Sequence, residues 1–370
     1  MAKAIFWLSF ALVAYVYAGY PLLLWAWSRL RPRPVRRAEG VWEPRVSLIL
    51  AAHNERHTLA RKIENCLALD YPAEKLQVVV SLDGSTDGSA AVAEASRHLH
   101  AGLTVVEGSH RGKAAAINRG VAAATGEVLV FCDARQRIDR GALRALLADL
   151  SDPEVGAVTG ELLLLDASDH EASDGVGLYW RYEKALRAME SAVHSTLGVT
   201  GALYALRREL FVPLAEQTIL DDMMIPLRAV LAGRRTVFEP RARAYDGVCP
   251  PDQEFRRKLR TLVGNFQLLH VMPELIVPGR NPVFLQYVSH KLGRLVVPYA
   301  LVALLISNLW LREGFYLAFL GCQGAWYLLA AAGALMNVSK SRPSAADREN
   351  DALPRQLATA SMTSQGDSPR

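Results

Sequence analysis

Three long stretches of this 370-residue chain contain no charged side chain. They run from Ala4 to Ser28, from Leu295 to Leu311 and from Phe315 to Val338. A bilayer core about 30 Å thick needs about 17 to 25 apolar helical residues, so each stretch is long enough to cross it. The sequence therefore predicts three transmembrane helices, with a folded domain between the first and the second.

The first stretch has two interpretations. Small residues near Ala18 are typical of a signal-peptide cleavage site, but the apolar run continues to Trp27, beyond the usual length of a signal core. This length favours a retained anchor. The basic cluster from Arg29 to Arg37 follows it, and positive residues remain on the cytoplasmic side of a membrane. We therefore expect a multi-pass protein of the cytoplasmic (inner) membrane whose middle domain faces the cytoplasm.

The charge and the cysteines exclude other classes. The net charge is +5 and the pI about 9.0, but much of the basic charge lies beside the apolar stretches, where it can contact anionic headgroups. We therefore expect no nucleic-acid partner. The cysteines have no metal-binding spacing and predict reduced thiols; they are Cys66, Cys132, Cys249 and Cys322.

Strand-like and helix-like patterns alternate from Arg45 to about Val271. Apolar runs such as RVSLILAA and EVLVFC end in polar residues, and segments such as RHTLARKIENCL have helical spacing. This alternation predicts an α/β domain with parallel strands and helices on both faces of the sheet. Ligands of such sheets bind beyond the carboxyl ends of the strands.

Acidic residues follow three of the predicted strands. Glu55 follows the first strand, Asp83 ends the second within LDGSTDGS, and Asp133 follows LVFC. Carboxylates at one sheet edge can accept hydrogen bonds from a base or ribose and hold a divalent cation. For the end of DGSTDGS the alternative is a turn in which Asp87 or Ser89 caps the next helix.

Lys113 follows a glycine and precedes a helical pattern. The loop from Gly108 to Gly112 is one residue too short for a P-loop, and Ala114 replaces the Ser or Thr that would contact magnesium. Lys113 is therefore either an exposed lysine at a helix start or a contact for a nucleotide near a helix N-terminus.

Together these motifs resemble the family 2 glycosyltransferases, membrane-anchored enzymes of the cellulose and hyaluronan synthase-like group that transfer a sugar from a nucleotide diphosphate. LILAAHNE, VVVSLDGSTDGS, RGKAAAINRG and VFCDAR are similar to the family's nucleotide-binding strands, lysine segment and DxD position. TGALYALRRE, TILDDMMIPLRAVLAG and FRRKLRTLVGN are similar to its acceptor segment, acidic base motif and QxxRW region. The resemblance covers about Val46 to Phe266 and implies the GT-A fold, a Rossmann-like mixed sheet with flanking helices.

The resemblance implies a role for each matching residue. Asp222 would be the general base that removes the acceptor's proton, with Asp221 beside it; either carboxylate can instead cap the following helix. The expected contacts to nucleotide and donor are Ala52, Asn54, Glu55, Asp83, Lys113, Asp133 and Arg260, and those on the acceptor side are Thr200 and Gly201.

The chain departs from the family pattern in two motifs. Arg135 replaces the second acid of DxD, and the QxxRW-like segment retains Arg260 but has Arg257 in place of the Gln and Thr261 in place of the Trp. We expect Asp133 to hold a divalent metal, Mn2+ or Mg2+, with few protein ligands. Arg135 either supplies positive charge to a phosphate or another acid, or points to solvent. The missing Trp argues against processive polymer synthesis.

The sequence therefore predicts an inverting glycosyltransferase of the cytoplasmic membrane. Its donor would be a nucleotide sugar, with UDP the family's most frequent carrier, and its acceptor a lipid-linked or cell-envelope glycan; other envelope-biosynthesis proteins are candidate partners. The alternative is a non-catalytic nucleotide-sugar-binding protein in an envelope polysaccharide complex. The expected segments are an anchor (1–30), a basic linker (31–44), a GT-A domain (45–271), an interfacial amphipathic segment (272–294), two transmembrane helices (295–338) and a disordered tail (339–370).

Overall fold

The computed structural model describes residues 1–99, 101–165, 176–247 and 251–340. Cys249 and most of the expected C-terminal tail lie outside these described residues. The chain divides into two compact units. The larger consists of Phe10–Val248 and Arg257–Leu301, and the smaller of Met1–Ser9, Cys249–Arg256 and Val302–Arg370.

The larger unit is built on an eight-stranded mixed sheet, as the resemblance implied. Its order is β3-β2-β1-β4-β7-β6-β8-β5. The strands are β1 (Val46–Ala52), β2 (Leu76–Asp83), β3 (Leu103–Gly108), β4 (Val128–Cys132), β5 (Arg137–Ile138), β6 (Val155–Leu165), β7 (Tyr204–Arg207) and β8 (Arg235–Gly247).

The two halves of the sheet differ in strand direction. β3, β2, β1 and β4 are parallel, so the residues after β1, β2 and β4 meet at one edge, as the pattern of acids predicted. β7 runs antiparallel to β4 and β6, and β5 runs antiparallel to β8. The expectation of parallel strands therefore holds for the first half of the sheet. The second half reverses direction at β7, which brings a later part of the chain to the same edge.

Helices cover both faces of the sheet. Leu50 and Val130 face a core that includes α3, α4 and α6, whereas Ile49 and Leu129 face a second core with α5 and α8. This alternation follows from the two-residue period of a strand. The helices around the sheet are α3 (Arg56–Leu67), α4 (Ser89–Ala95), α5 (Lys113–Ala122), α6 (Ala142–Leu150), α7 (Val176–Val193), α8 (Asp221–Leu231) and α9 (Pro251–Val271).

The apolar segments form the remaining α-helices of the described residues. They are α1 (Ala2–Ala14), α2 (Tyr20–Leu30), α10 (Phe284–Gln286), α11 (Gly293–Leu309) and α12 (Gly314–Lys340).

In the described part of the chain, three helices are long and apolar enough to cross a membrane: Ala2–Leu30, Phe284–Leu309 and Gly314–Gly333. A π-helical turn joins α1 to α2, and a second one joins α10 to α11. The latter makes the end of the expected interfacial segment continuous with the second apolar helix. In the larger unit, α2 packs on α7, where the Tyr20 hydroxyl donates to Glu190 Oε1 at 2.9 Å. In the smaller unit, Phe6 packs against Tyr316.

Gly126 allows the start of β4 to lie close to the backbone of β1. Its backbone N–H donates to Ser47 Oγ at 2.8 Å. A Cβ at this position would lie 2.5 Å from the Ser47 nitrogen and 2.7 Å from the Val46 carbonyl carbon. These neighbours are backbone atoms of a paired strand, so they cannot move aside without disturbing the sheet.

We therefore expect Gly126→Ala to lower the free energy of unfolding by about 1–3 kcal/mol through overpacking. Gly141→Ala is the matched control, because the nearest atom to its added Cβ is Asp139 Oδ1 at 3.7 Å, an ordinary contact. The measurement is the thermal unfolding midpoint of both variants in the same lipid nanodiscs. Equal midpoints would contradict the tight approach of β4 to β1.

Candidate active site

A cavity of about 280 Å³ lies at the carboxyl ends of β1, β2 and β4. Five residues named by the sequence motifs line it: Ala52, Glu55, Asp83, Lys113 and Asp133. Its remaining lining consists of Ala51, His53, His110, Gly112, Ala116, Ala134 and Arg135. The parallel strand ends therefore form a polar cavity at the predicted edge of the sheet.

Lys113 links the sheet edge to α8. It is the first residue of α5, and the glycine before it has φ +93°. Its Nζ lies 3.0 Å from Asp133 Oδ1 and 3.3 Å from Asp221 Oδ2. Burial opposes its charge, but the carboxylates outweigh burial and hold the pKa of Lys113 above its usual value. Lys113 is therefore an ion-paired lysine at the cavity wall, neither fully solvated nor isolated from other charges.

Asp221 and Asp222 open α8. The N-cap position belongs to Leu220, which forms no side-chain cap, so capping does not explain the acidic pair. Asp221 is buried beside Lys113, whereas Asp222 is half-buried. Burial, followed by the neighbouring Asp221 carboxylate, raises the pKa of Asp222 to about 6. A carboxylate with this pKa can accept a proton near neutral pH.

The turn at Thr200 and Gly201 lies against these groups. A Cβ added to Gly201 would lie 3.5 Å from Asp133 Oδ2, 3.7 Å from Lys113 Nζ and 4.0 Å from the Asp222 Cβ. The Thr200 N–H donates to Thr159 Oγ1 at 2.9 Å, which ties the turn to β6. The predicted acceptor-side residues therefore adjoin the same polar groups as the donor-side residues.

Asp83 organises the loop before Lys113. Its Oδ1 accepts the Arg111 N–H at 3.0 Å, and its Oδ2 accepts the Gly112 N–H at 2.9 Å. The His110 ring also contacts Oδ2, with Nδ1 at 2.8 Å. Burial opposes the ionised form, but these hydrogen bonds outweigh it and lower the pKa of Asp83. The predicted nucleotide contact is thus also the residue that shapes the start of α5.

His53 and His110 stack beside Asp83, with ring centroids 4.2 Å apart. With Asp83 they offer three possible metal-ligand atoms within 4.8 Å of one another. However, Asp83 uses both oxygens to accept hydrogen bonds, and His53 Nδ1 lies 2.7 Å from the Asp83 carbonyl oxygen. The hydrogen bonds account for the cluster without an ion. His53 lies within LILAAHNE, but neither histidine is among the site residues that the sequence predicted.

The first loop is shaped by Asn54 and Glu55. Asn54 has φ 53°, and its Oδ1 accepts the Thr86 N–H at 2.9 Å, which holds the loops after β1 and β2 together. Glu55 accepts a 2.7 Å hydrogen bond from Thr58 Oγ1 while lining the cavity. Asn54 therefore positions a loop, and Glu55 faces the cavity directly.

Arg260, the retained arginine of the QxxRW region, and Arg135, at the DxD departure, lie in different places. Arg260 donates from Nη2 to the Ile219 carbonyl oxygen at 3.1 Å and is not among the residues that line the cavity. It contacts the segment that leads to Asp221. Arg135 is exposed and lines the cavity beside Asp133. It therefore offers a cation where the second acid of DxD was expected.

The donor set at Asp133 fits a hard divalent cation. Asp133 is half-buried and faces the cavity, and its Oδ2 lies on the side of Gly201 whereas Oδ1 contacts Lys113. Mg2+ in proteins commonly binds through one or two carboxylates, with substrate phosphates and water as further ligands. One protein carboxylate is therefore a sufficient anchor, and Asp133 would supply it.

The geometry agrees with comparisons to known proteins. Residues 47–211 match the model of glycosyl transferase family 2. The beta-monoglucosyldiacylglycerol synthase of Synechocystis sp. is 28% identical over 204 residues, which cover 52% of this chain and 41% of the relative. The poly-beta-1,6-N-acetyl-D-glucosamine synthase of Staphylococcus aureus is 24% identical over 204 residues, 54% of this chain and 49% of the relative. The chain thus spans less than half the length of these relatives.

A solved structure shares the fold. The mannosyltransferase PcManGT of Pyrobaculum calidifontis, in complex with GDP-Man and Mn2+, aligns with a TM-score of 0.64 and 24% identity. The alignment covers 92% of this chain and all of that one. The mixed sheet with flanking helices is the GT-A fold that the sequence predicted.

Removing the Lys113 ammonium should destabilise the site in a pH-dependent way. Lys113→Met leaves Asp133 and Asp221 without a cation, and we expect a loss of roughly 1–3 kcal/mol of unfolding free energy at pH 8. Burial raises the pKa of Asp222 and the Lys113 charge opposes that rise, so removing the charge raises this pKa further and the loss shrinks as acidification protonates Asp222.

The measurement is the unfolding midpoint of wild type and variant at pH 8 and pH 5. Lys75→Met is the control, because Lys75 pairs with Glu43 at 3.1 Å away from the cavity, and exposed pairs contribute little. A Lys113→Met deficit that is constant with pH would show that the lysine acts through packing alone.

Proposed function

Since residues 47–211 form a glycosyl transferase family 2 domain, we propose that the protein is an inverting glycosyltransferase. It transfers a sugar from a nucleotide-diphosphate donor to a lipid-linked or cell-envelope glycan acceptor. The observation that carries this proposal is the meeting of Lys113, Asp133, Asp221 and Asp222 around Gly201, at the edge of the GT-A sheet. These groups supply a base, a cation and an anchor for the donor.

Asp222 acts as the general base. Its carboxylate takes the proton of the acceptor hydroxyl while the hydroxyl oxygen forms a bond to the anomeric carbon. The bond from that carbon to the diphosphate oxygen breaks in the same displacement, and the nucleoside diphosphate leaves with the electron pair. A single displacement by one nucleophile inverts the configuration. The raised pKa of Asp222, about 6, suits a base that works near neutral pH.

The leaving diphosphate requires positive charge. Lys113 supplies an ammonium group at the cavity wall, and Arg135 adds an exposed guanidinium beside it. A divalent cation on Asp133 would add Lewis-acid stabilisation of the phosphate oxygens. Asp221 holds Lys113 from the other side at 3.3 Å and thereby fixes its position. Asp221 is thus a positioning residue rather than a second base.

The proposed donor pocket is the cavity of about 280 Å³ that Asp83 lines. We propose a UDP sugar as the donor on the family's frequency of that carrier, while PcManGT, which shares the fold, binds GDP-Man. His53 and His110 present stacked rings in this pocket, where a base could lie against them, and Asp83 shapes the loop beside it. A panel of nucleotides therefore belongs in the first experiment.

The acceptor side points to a membrane substrate. Three helices of this chain can cross a bilayer, and a relative's name, beta-monoglucosyldiacylglycerol synthase, refers to a glycolipid. The basic cluster after the first helix supports a catalytic domain on the cytoplasmic face of the cytoplasmic membrane. Thr200 and Gly201 adjoin Asp222 and would contact the acceptor. Other envelope-biosynthesis proteins remain candidate partners.

Asp222→Asn should abolish transfer but leave donor binding intact. General-base catalysis contributes about 10²–10⁴-fold, so we expect turnover to fall by that factor. The assay measures nucleoside diphosphate release from UDP and GDP sugars by protein in nanodiscs with membrane lipid extract and Mn2+ or Mg2+. Asp70→Asn serves as the control, because Asp70 is exposed and pairs with Arg144. Unchanged turnover in Asp222→Asn would remove the proposed base.

The pH profile of turnover should show the same group. The Asp222 carboxylate is active when ionised, so turnover at saturating donor should rise with pH through about 6 and then level off. The pH dependence of donor affinity provides a separate readout. If wild type binds a nucleotide sugar but releases no product at any pH with lipid extract, the non-catalytic binding protein is the better account.

A further inference from the structure

A second, larger cavity adjoins the donor cavity. Its volume is about 420 Å³, and the two cavities share Ala134 and Arg135 in their walls. It lies between the first turns of α3, the loop from β4 to β5, and the ends of β6 and β8. Its lining consists of Thr58, Arg61, Lys62, Asn65, Ala134, Arg135, Gln136, Arg137, Leu165, Tyr245, Asp246 and Gly247. This size is sufficient for a small organic ligand.

The wall of this cavity is strongly basic. Arg61, Lys62, Arg135 and Arg137 face a single carboxylate, Asp246. Within the described parts of the chain, no carboxylate pairs with any of the three arginines. Clustered like charges in a concave surface repel one another and concentrate anions from solution. Among the described residues, the wall of this cavity therefore carries a net positive charge.

Two of the cations are held in place. The Lys62 side chain is 3% exposed, and its ammonium donates to the Gln136 carbonyl oxygen at 2.7 Å. The Arg137 guanidinium lies 4.5 Å from the centroid of the Tyr245 ring. Cations fixed by hydrogen bonds and by ring contacts lose little freedom when they bind a ligand. This distinguishes the cavity wall from an ordinary solvated surface, where long basic side chains move freely.

Gln136 provides an observation that is independent of charge. Its side chain is 5% exposed, and Nε2 donates to Asp246 Oδ2 at 2.6 Å. The other amide atom, Oε1, is buried and has no hydrogen-bond partner among the residues that the structure describes. A buried acceptor without a partner is costly, and a ligand hydroxyl would satisfy it. The cavity thus matches an anion that also carries a hydroxyl group.

We propose that this cavity binds a phosphate ester that carries a free hydroxyl, such as a glycerol phosphate. Arginines bind phosphate through paired N–H donors, and Gln136 accepts the ligand's hydroxyl. Such a group occurs in a soluble phosphate ester and in the headgroup of phosphatidylglycerol. The shared chemistry defines the site, and Arg135 places the ligand next to the donor cavity.

The first test measures binding of sn-glycerol 3-phosphate to the full chain in phosphatidylcholine nanodiscs. We expect saturable binding that the double variant Arg61→Gln/Arg137→Gln weakens by about tenfold or more, because it removes two of the cations that would bind the phosphate. The single variant Arg61→Gln, at an exposed position of α3, should weaken binding less than the double variant does. It serves as the variant least expected to disturb folding. Arg140→Gln is the matched control, because Arg140 is exposed and does not line the cavity.

The second test separates the two sources of the phosphate ester. Phosphatidylglycerol nanodiscs should compete with the soluble ester only if a lipid headgroup reaches the cavity. Soluble binding without such competition identifies a soluble ligand, and competition lost in the double variant identifies the headgroup. Equal binding by wild type and double variant would overturn the proposal, as would no binding of either form up to about 10 mM. Neither outcome depends on sugar transfer.

Discussion

The arrangement of the site depends on one ion pair network, in which the Lys113 ammonium lies between Asp133 and Asp221. Asp133 follows a central strand, and Asp221 opens a helix far along the chain. Carboxylates that share a partly buried site repel one another and tend to take up protons. The lysine offsets that repulsion, so two ionised acids can approach and Asp222 is carried to the same place. The Lys113 ammonium therefore links the carboxyl end of β4 to the start of α8.

Lys113 is in turn positioned by Asp83. This buried carboxylate accepts the N–H groups of Arg111 and Gly112 and so determines where α5 begins. Gly112 has φ +93°, a conformation that side chains with a Cβ rarely adopt. Asp83, predicted as a nucleotide contact, thus also orders the loop that positions Lys113. Its effect on the site would persist even if another group recognised the base.

Sequence patterns predicted the parallel half of the sheet well because its strands are apolar runs that end in polar residues. Aligned strand ends then required Asp83 and Asp133 to meet at one edge. The antiparallel β7 left no comparable pattern, so the approach of Asp221 to Lys113 was not predictable from spacing. The stacked pair of His53 and His110 also depends on two loops that are distant in sequence. Local patterns define strands, whereas contacts between loops come from the tertiary fold.

Arg135 changes the balance of charge at the donor edge. A second carboxylate there would strengthen a metal site and would leave the neighbouring cavity with another negative group. The arginine does the reverse, because it adds a cation to the walls of both cavities in place of a second carboxylate beside Asp133. In the proposed mechanism, the negative charge of the leaving diphosphate is then stabilised to a larger extent by Lys113 and Arg135. Because both side chains are part of the protein, their contribution does not vary with the concentration of free metal ions.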